Sequence, residues 1–247
     1  SEGWTRHSMD QSVLMRYVPD GSLLAVLGIH VDDILGRCRN ASVIQALPER
    51  FKWGSLFFGA SEYLFCGRRV LMKSRTIQVS MPSHNVAIEI NRLPRERRAR
   101  PEAPLEGGEP SELISGIGSL QWVGSNVNPP IQACVSMAQG GSPTVETLMQ
   151  VQSMLKEVRS NPDEGITLLC MDRESAMIVT FGDGSWANVG NRTQAGYVTY
   201  LAQPSCLTPE GGVASMVDWR SHRLKRACHC TLYAEAMASR AAATSAT

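Results

Sequence analysis

Short apolar runs of two kinds alternate along this chain, and each kind dominates a different stretch. Up to residue 80, and again from residue 165 to residue 219, the runs are rich in Val, Ile, Leu, Tyr and Phe and are separated by turn residues, which is typical of β-strands. From Ser111 to Val158 apolar residues recur at helical spacing, and an Ala-rich helix is predicted from Thr231. The pattern predicts a fold of the α+β class, without an internal repeat.

Turn residues and helix caps set the predicted boundaries. We predict strands over 12–18, 22–31, 63–67, 69–72, 76–80, 165–169, 176–181, 196–201 and 213–219. We predict helices over 41–52, 83–93, 131–139 and 143–158, and an apolar helical segment that starts at Ser111 and stops before Pro129. The clearest break, Arg92 to Pro110, combines five arginines with prolines and glycines. It predicts a linker or surface loop that either binds a phosphate backbone or is simply solvated.

Two adjacent carboxylates, Asp32 and Asp33, stand between apolar runs in the stretch from Ala25 to Gly36. This arrangement predicts a β-hairpin that presents the Asp pair at its tip, with Asp32 accessible to solvent. Adjacent anions repel each other, so the pair is costly unless water or a divalent cation screens it. Mg²⁺ prefers carboxylate oxygens, and two such ions can assist an in-line phosphoryl transfer. A solvated turn is the alternative interpretation, since aspartate is common in turns.

Composition narrows the function classes only slightly. The 247 residues include 24 basic and 23 acidic ones, so overall charge does not indicate a nucleic-acid partner. No apolar run approaches the roughly 20 residues of a membrane-spanning helix. Because the chain also shows no signal peptide, we expect an intracellular protein, cytoplasmic or nuclear, without a membrane partner. It begins at Ser1 without an initiator Met, which indicates a segment of a longer protein.

The seven cysteines are odd in number and form no Cys-x-x-Cys motif. Reduced thiols therefore fit better than a disulfide framework. The run Cys228-His229-Cys230, with His222 nearby, resembles a zinc site in residue types. Its spacing does not, because paired zinc ligands are usually separated by about two to four residues. We therefore expect no zinc.

A second aspartate follows an apolar strand and sits beside glycines, at Asp183 in the stretch from Ile178 to Ala187. Much later, Glu235 lies in the predicted C-terminal helix. An Asp from a strand and a Glu from a helix are the ligands that a two-metal phosphodiesterase site needs. The pairing is not specific by itself, and a solvent-facing helical glutamate is the alternative for Glu235.

The order of these pieces resembles the C-terminal part of the Pol polyprotein of copia-type LTR retrotransposons. Val31-Asp32-Asp33-Ile34-Leu35 is similar to the family's Tyr-Val-Asp-Asp box, with His30 where the aromatic residue usually stands. Ile117-Gly118-Ser119-Leu120-Gln121-Trp122 resembles its Val-Gly-Ser-Leu-x-Tyr. Phe181-Gly182-Asp183-Gly184-Ser185-Trp186-Ala187 resembles Tyr-Ser-Asp-Ala-Asp-Trp-Ala, and Arg192 to Val198 resembles Arg-x-Ser-Thr-Ser-Gly-Tyr-Val. Asp218-Trp219-Arg220-Ser221 through Glu235 keeps the family's spacing from Trp-x-Ser to Ala-Glu.

The resemblance implies three regions. Residues 1–80 would be the C-terminal part of a reverse transcriptase palm, residues 81–170 a helical thumb and connection, and residues 171–247 the N-terminal part of a ribonuclease H-like domain. It implies a sheet in which strand 196–201 pairs antiparallel with the strand that ends at Phe181, with 213–219 as the next neighbour. Asp32, Asp33, Asp183 and Glu235 would be catalytic ligands of Mg²⁺. Four basic residues, Arg220, Arg223, Lys225 and Arg226, would lie near an RNA–DNA hybrid or template-primer, although a solvated face is an equal alternative.

The chain also departs from the family. Ser185 replaces a second Asp, and Leu232-Tyr233 replaces the usual Thr-Glu. The first polymerase aspartate is expected before Ser1, and the last two ribonuclease H aspartates after Thr247. The resemblance therefore implies a fragment that needs the remaining Pol segments as partners and is inactive alone. A domesticated or decayed copy that binds nucleic acid or protein without catalysis is the alternative.

Overall fold

The computed structural model describes residues 3–40, 42–45, 54–55, 57–140, 142–189, 192–224 and 228–246. The chain divides into two compact units, Ser1–Val70 and Leu71–Thr247. The fold combines helices with three antiparallel sheets. This agrees with the predicted α+β class. No helix in the described ranges combines the length and the apolar character that crossing a membrane requires.

The first unit is built on a four-stranded antiparallel meander. Its strands are β1 (Trp4–Arg6), β2 (Val13–Tyr17), β3 (Leu23–His30) and β4 (Asp33–Cys38), in that spatial order. A short helix α1 (Ser42–Gln45) and the strand β5 (Glu62–Phe65) follow, and β6 (Arg68–Met72) spans the boundary between the units. The predicted strands 12–18 and 22–31 are confirmed. The predicted helix 41–52 lies mostly outside the described residues, apart from α1.

Helices dominate the first half of the second unit. They are α2 (Pro82–Ala87), α3 (Arg95–Arg98), α4 (Glu109–Asn126), α5 (Ile131–Ala138) and α6 (Val145–Ser160). Leu120, Val123, Leu148 and Val151 are fully buried where α4 and α6 pack together, in the larger of the two described cores. Strand β7 (Thr76–Ser80) precedes these helices in the chain, and β8 (Gly165–Leu169) follows them. The two strands pair antiparallel. The predicted strands and the three longest helices of this stretch are confirmed.

Two predictions for this stretch are corrected. The helix expected over 83–93 ends at Ala87, because Ile88 takes an extended conformation (φ −60°, ψ 120°) and is buried in the core. The segment from Arg92 to Pro110 is not a plain loop, since it contains α3. Arg97 makes a two-pronged ion pair with Glu109, with Nε–Oε1 at 2.8 Å and Nη2–Oε2 at 2.6 Å. This hydrogen-bonded pairing lowers the pKa of Glu109 and fastens the segment to the start of α4.

A second antiparallel sheet of this unit carries the later motifs. It consists of β9 (Met177–Val189), β10 (Arg192–Ala202) and β11 (Ala214–Arg223), in the spatial order β11-β10-β9. A 3₁₀ turn, Pro204–Leu207, links β10 to β11, and helix α7 (Thr231–Ser245) packs against β9 and β10. The order inferred from the resemblance is confirmed. The strand predicted to end at Phe181 continues to Val189, so Asp183 lies within it and not at its end.

Candidate functional site

The Asp pair lies at the tip of a tight hairpin. Strands β3 and β4 pair antiparallel with His30 opposite Asp33, so Val31 and Asp32 form a two-residue loop. Asp32 and Asp33 are both exposed. The predicted hairpin, with Asp32 accessible, is confirmed. Nothing in this geometry buries the two charges, so their mutual repulsion is relieved by solvent or by a bound cation.

Val31 has an unusual backbone conformation at this tip. Its φ is 53° and its side chain is 90% exposed. Two-residue hairpin loops need a positive φ at their first position, which glycine, asparagine and aspartate accept far more readily than a β-branched residue. Strained backbone of this kind persists only where the surrounding strands impose it, and it often accompanies function.

A second hairpin tip contacts the Asp pair. Cys66 (φ 50°) and Gly67 (φ 73°) connect β5 to β6 in a type I′ turn, and the Cys66 backbone N–H donates to Asp33 Oδ2 at 3.4 Å. Partial burial, together with the negative charges of Asp33 and Asp32, raises the pKa of the Cys66 thiol. The thiol is therefore neutral at physiological pH and adds no third charge beside the carboxylates.

The other candidate pair, Asp183 and Glu235, depends on how closely α7 approaches β9. A Cβ atom added to Gly184 would lie 2.6 Å from the Ala234 carbonyl oxygen, and one added to Gly182 would lie 3.0 Å from that of Ala238. Every fourth residue of α7 on this side is a buried alanine: Ala234, Ala238 and Ala242. Small residues on both elements therefore bring helix and strand backbones together, which fixes the position of α7 along β9.

This close approach places the carboxylate of Glu235 on the backbone of β9. The Gly184 N–H donates to Glu235 Oε2 at 3.2 Å, across 51 positions of sequence. Gly184 is directly bonded to Asp183 along the chain, and among the described strands β9 is at the edge of its sheet. The half-buried Glu235 is thus held by the fold and is not a freely solvated helical glutamate.

Asp183 itself points away from α7. Neighbouring side chains of a strand alternate between the two faces, and Gly182 and Gly184 both face the helix. The exposed Asp183 therefore lies on the opposite face, in one row with Gly196 and Ser221 of the neighbouring strands. The two carboxylates therefore lie on different faces of the sheet, and a ligand could reach both only over the free edge of β9. Their predicted role as joint metal ligands stays a prediction.

Of the four predicted basic residues, two lie in the described part of the chain. Arg220 and Arg223 are exposed on β11, on opposite faces of the strand because they are three positions apart. Lys225 and Arg226 lie outside the described residues. Among the described residues, no group of three or more His, Cys, Asp or Glu side chains could hold a metal ion.

Sequence reasoning missed the polar contacts that join β11 to the helices. Gln132 of α5 accepts from the Ser221 backbone N–H at 2.9 Å, and the Trp219 indole N–H donates to the Gly124 carbonyl at 2.7 Å. Gln132 is buried. A glutamine one residue after the start of the predicted helix 131–139 was the available signal. Its side-chain oxygen accepts from a backbone donor on the outer edge of β11, where no other strand in the described part of the chain pairs.

No protein-family model, curated protein or solved structure matches this chain.

Proposed function

We propose that the chain is part of a reverse transcriptase/ribonuclease H of the copia retrotransposon type, and that it acts within the full protein on an RNA–DNA duplex. The observation that carries the proposal is the hydrogen bond between Gly184 and Glu235. It brings a helical carboxylate to the residue next to Asp183, within a sheet whose strand order the resemblance implied. No local sequence rule brings residues this far apart together.

In this proposal Asp183 and Glu235 hold Mg²⁺ for hydrolysis of the RNA strand. Their donor set fits the ion, since both offer carboxylate oxygens and Mg²⁺ favours hard oxygen ligands. The Gly184 N–H donates to Oε2 of Glu235 and orients its carboxylate, as hydrogen-bond donors to metal-binding carboxylates do. The bound ion would stabilise negative charge on the phosphate under attack. Because Asp183 faces away from α7, the site would lie over the free edge of β9, where a duplex can approach.

The first unit has a parallel role in the proposal, as the end of a polymerase palm. Asp32 and Asp33 would hold metal during nucleotide addition. The exposed tip, the positive φ of Val31 and the Cys66 donor on Asp33 support it, because they present the carboxylates in one fixed arrangement. The helices α4, α5 and α6 would then belong to the thumb and connection.

The metal site is tested with Mn²⁺, whose electron paramagnetic resonance signal reports binding directly. We expect the full chain to bind Mn²⁺ and both Asp183→Asn and Glu235→Gln to weaken binding, with hybrid cleavage by the complete Pol segment lost in parallel. Glu174→Gln, an exposed acid elsewhere in the same unit, is the matched control and should leave binding unchanged. Equal Mn²⁺ binding by all three variants and the unmodified chain would contradict the proposed site.

A non-catalytic binding module is the second candidate. The orientation of Asp183, on the face opposite α7, favours it, because two ligands on different faces form a weaker cation site than two that converge. This candidate predicts that an RNA–DNA hybrid binds equally well with and without Mg²⁺, that Asp183→Asn leaves hybrid binding unchanged, and that no hybrid is cleaved.

A further inference from the structure

A cavity of about 290 Å³ lies between α4, α6 and residues 84–91 in the second unit. Its volume is just below the roughly 300–1,000 Å³ of sites that hold drug-sized ligands, so it suits a smaller molecule. Its floor is apolar, because the buried side chains of Leu148, Val151 and Leu155 line it. The exposed Glu89 also lines the cavity and marks the side that opens to solvent. The cavity therefore combines an apolar floor with a polar entrance.

Gln152 is the buried polar residue of this cavity, with only 5% of its surface exposed. Its side-chain N–H groups donate to the Asn91 carbonyl at 2.8 Å and to Glu112 Oε1 at 2.6 Å. Because both partners are acceptors, the amide nitrogen must face them, and Gln152 Oε1 is left without a donor among the described residues. An unused acceptor in so buried a side chain favours a ligand that donates to it.

Two further acceptors line the cavity. His84 Nε2 is buried and has no hydrogen-bond partner among the described residues, and it accepts when the neutral ring carries its proton on Nδ1. The half-buried Glu112 uses Oε1 to accept from Gln152, whereas its Oε2 accepts from no described group. Glu89 adds a second carboxylate, and the described lining includes neither lysine nor arginine. The cavity therefore has an excess of negative charge and of unused acceptors.

We propose that this cavity binds a short aliphatic diamine, with one ammonium group between Glu112, Gln152 and His84. The other ammonium group would reach Glu89 at the entrance, and the methylene chain would lie against the apolar floor. An ammonium group has three N–H donors and no acceptor, which matches the three unused acceptors. Its charge would be paired with the Glu112 carboxylate, as a partly buried charge requires. The cavity shares no residue with either proposed metal site, so this proposal does not depend on the function proposed above.

The test is isothermal titration calorimetry of the full chain with putrescine, at ~0.1 M KCl to screen exposed charges. We expect putrescine to bind and Glu112→Gln to weaken binding by about tenfold or more, because a charge-assisted hydrogen bond is lost. Glu157→Gln removes the same charge from an exposed position of α6 outside the cavity and should bind like the unmodified chain. Ser119→Leu fills the cavity from α4 without a change of charge and should abolish binding. Circular dichroism checks that each variant is folded.

Three further ligands identify what the cavity recognises. The uncharged diol of the same length should not bind, because it lacks the ammonium charge. Butylamine has a single ammonium group and should bind more weakly than putrescine, and Glu89→Gln should remove that difference. Nα-acetyl-lysine methylamide carries the same ammonium group on a peptide unit, so it represents the lysine side chain of a partner protein. It should bind more weakly than putrescine.

The proposal is overturned if Glu112→Gln and Glu157→Gln bind putrescine alike, if Ser119→Leu keeps full affinity, or if the diol binds as tightly as the diamine. Complete displacement of putrescine by MgCl₂ at equal ionic strength would also overturn it, because the cavity would then be a general cation site. Binding of the lysine derivative without binding of putrescine would overturn it in favour of a protein partner.

Discussion

Val31 is the residue at which the hairpin tip is under strain. An L-residue in the left-handed region costs roughly 1–2 kcal/mol, and a β-branched side chain such as valine tolerates that region poorly. The flanking pairs of β3 and β4 hold the loop closed and impose this conformation. The pairing of β3 with β4 therefore offsets the strain at Val31. A substitution at Val31 can relieve this strain while both aspartates stay unchanged.

We expect Val31→Gly to be more stable than Val31→Ala by about 1 kcal/mol, since both remove the branched side chain but only glycine removes the Cβ that opposes positive φ. Urea unfolding followed by circular dichroism measures the difference. Because the side chain is 90% exposed, loss of buried area does not confuse the comparison. Equal stabilities of the two variants would mean that the loop does not hold Val31 at positive φ in solution.

At the scale of elements, the contact of α7 with β9 depends on the two glycines of the strand. An added Cβ at Gly184 meets backbone atoms of α7, 2.6 Å from the Ala234 oxygen and 3.0 Å from the Glu235 nitrogen. Backbone atoms cannot rotate aside as a flexible side chain does, so the helix itself has to shift. The hydrogen bond from Gly184 to Glu235 would lengthen with it.

We expect Gly184→Ala to destabilise the chain by about 1–3 kcal/mol, the usual range for overpacking. Gly118→Ala is the control, because that position of α4 has open space around it and alanine favours a helix over glycine by roughly 1 kcal/mol. The two substitutions add the same methyl group and should shift the thermal midpoint in opposite directions. A stabilising effect at Gly184 would show that α7 lies farther from β9 than described.

The same two glycines explain why one strand end was misplaced. In sequence, Gly182 and Gly184 are turn signals on either side of Asp183, and the strand was therefore expected to stop there. In the fold they are places of close approach, which local pattern cannot distinguish from a turn. The hairpin of Asp32 was predictable because its apolar strands are adjacent in sequence, whereas the bond of Glu235 to β9 depends on packing across 51 positions. Likewise, the pattern predicts a linker or surface loop over Arg92 to Pro110, phosphate-binding or solvated, because the pairing of Arg97 with Glu109, 12 positions later, follows no local period.

For the whole molecule, burial is unevenly distributed between the two units. Among the described residues of the first unit, only Ala25 and Leu27 are buried apolar residues. The second unit has a continuous core centred on α4 and α6. Local stability follows buried apolar contact, so the two units should differ in how readily their backbone hydrogen bonds open.

We expect hydrogen exchange, measured by mass spectrometry at about pH 7, to be slowest in α4 and α6 and clearly faster in β1 to β4. Leu148→Ala removes a fully buried side chain and should cost about 2–5 kcal/mol, so it should speed exchange in α4 and α6 together. Slower exchange in β3 than in α6 would contradict this ranking.

The glycines of β9 also bear on the history of the gene. Every missense change of a glycine codon adds at least a Cβ, so mutation offers Gly182 and Gly184 no neutral replacement while α7 remains docked, whereas Gly118 has room for one. Under the proposed retrotransposon origin, copies of this gene that drift without selection would lose glycine at all three positions at similar rates. Copies retained by a host for their folded product would keep glycine at 182 and 184 and vary at 118. The spectrum of changes at these three codons therefore distinguishes decay from domestication without any assay of activity.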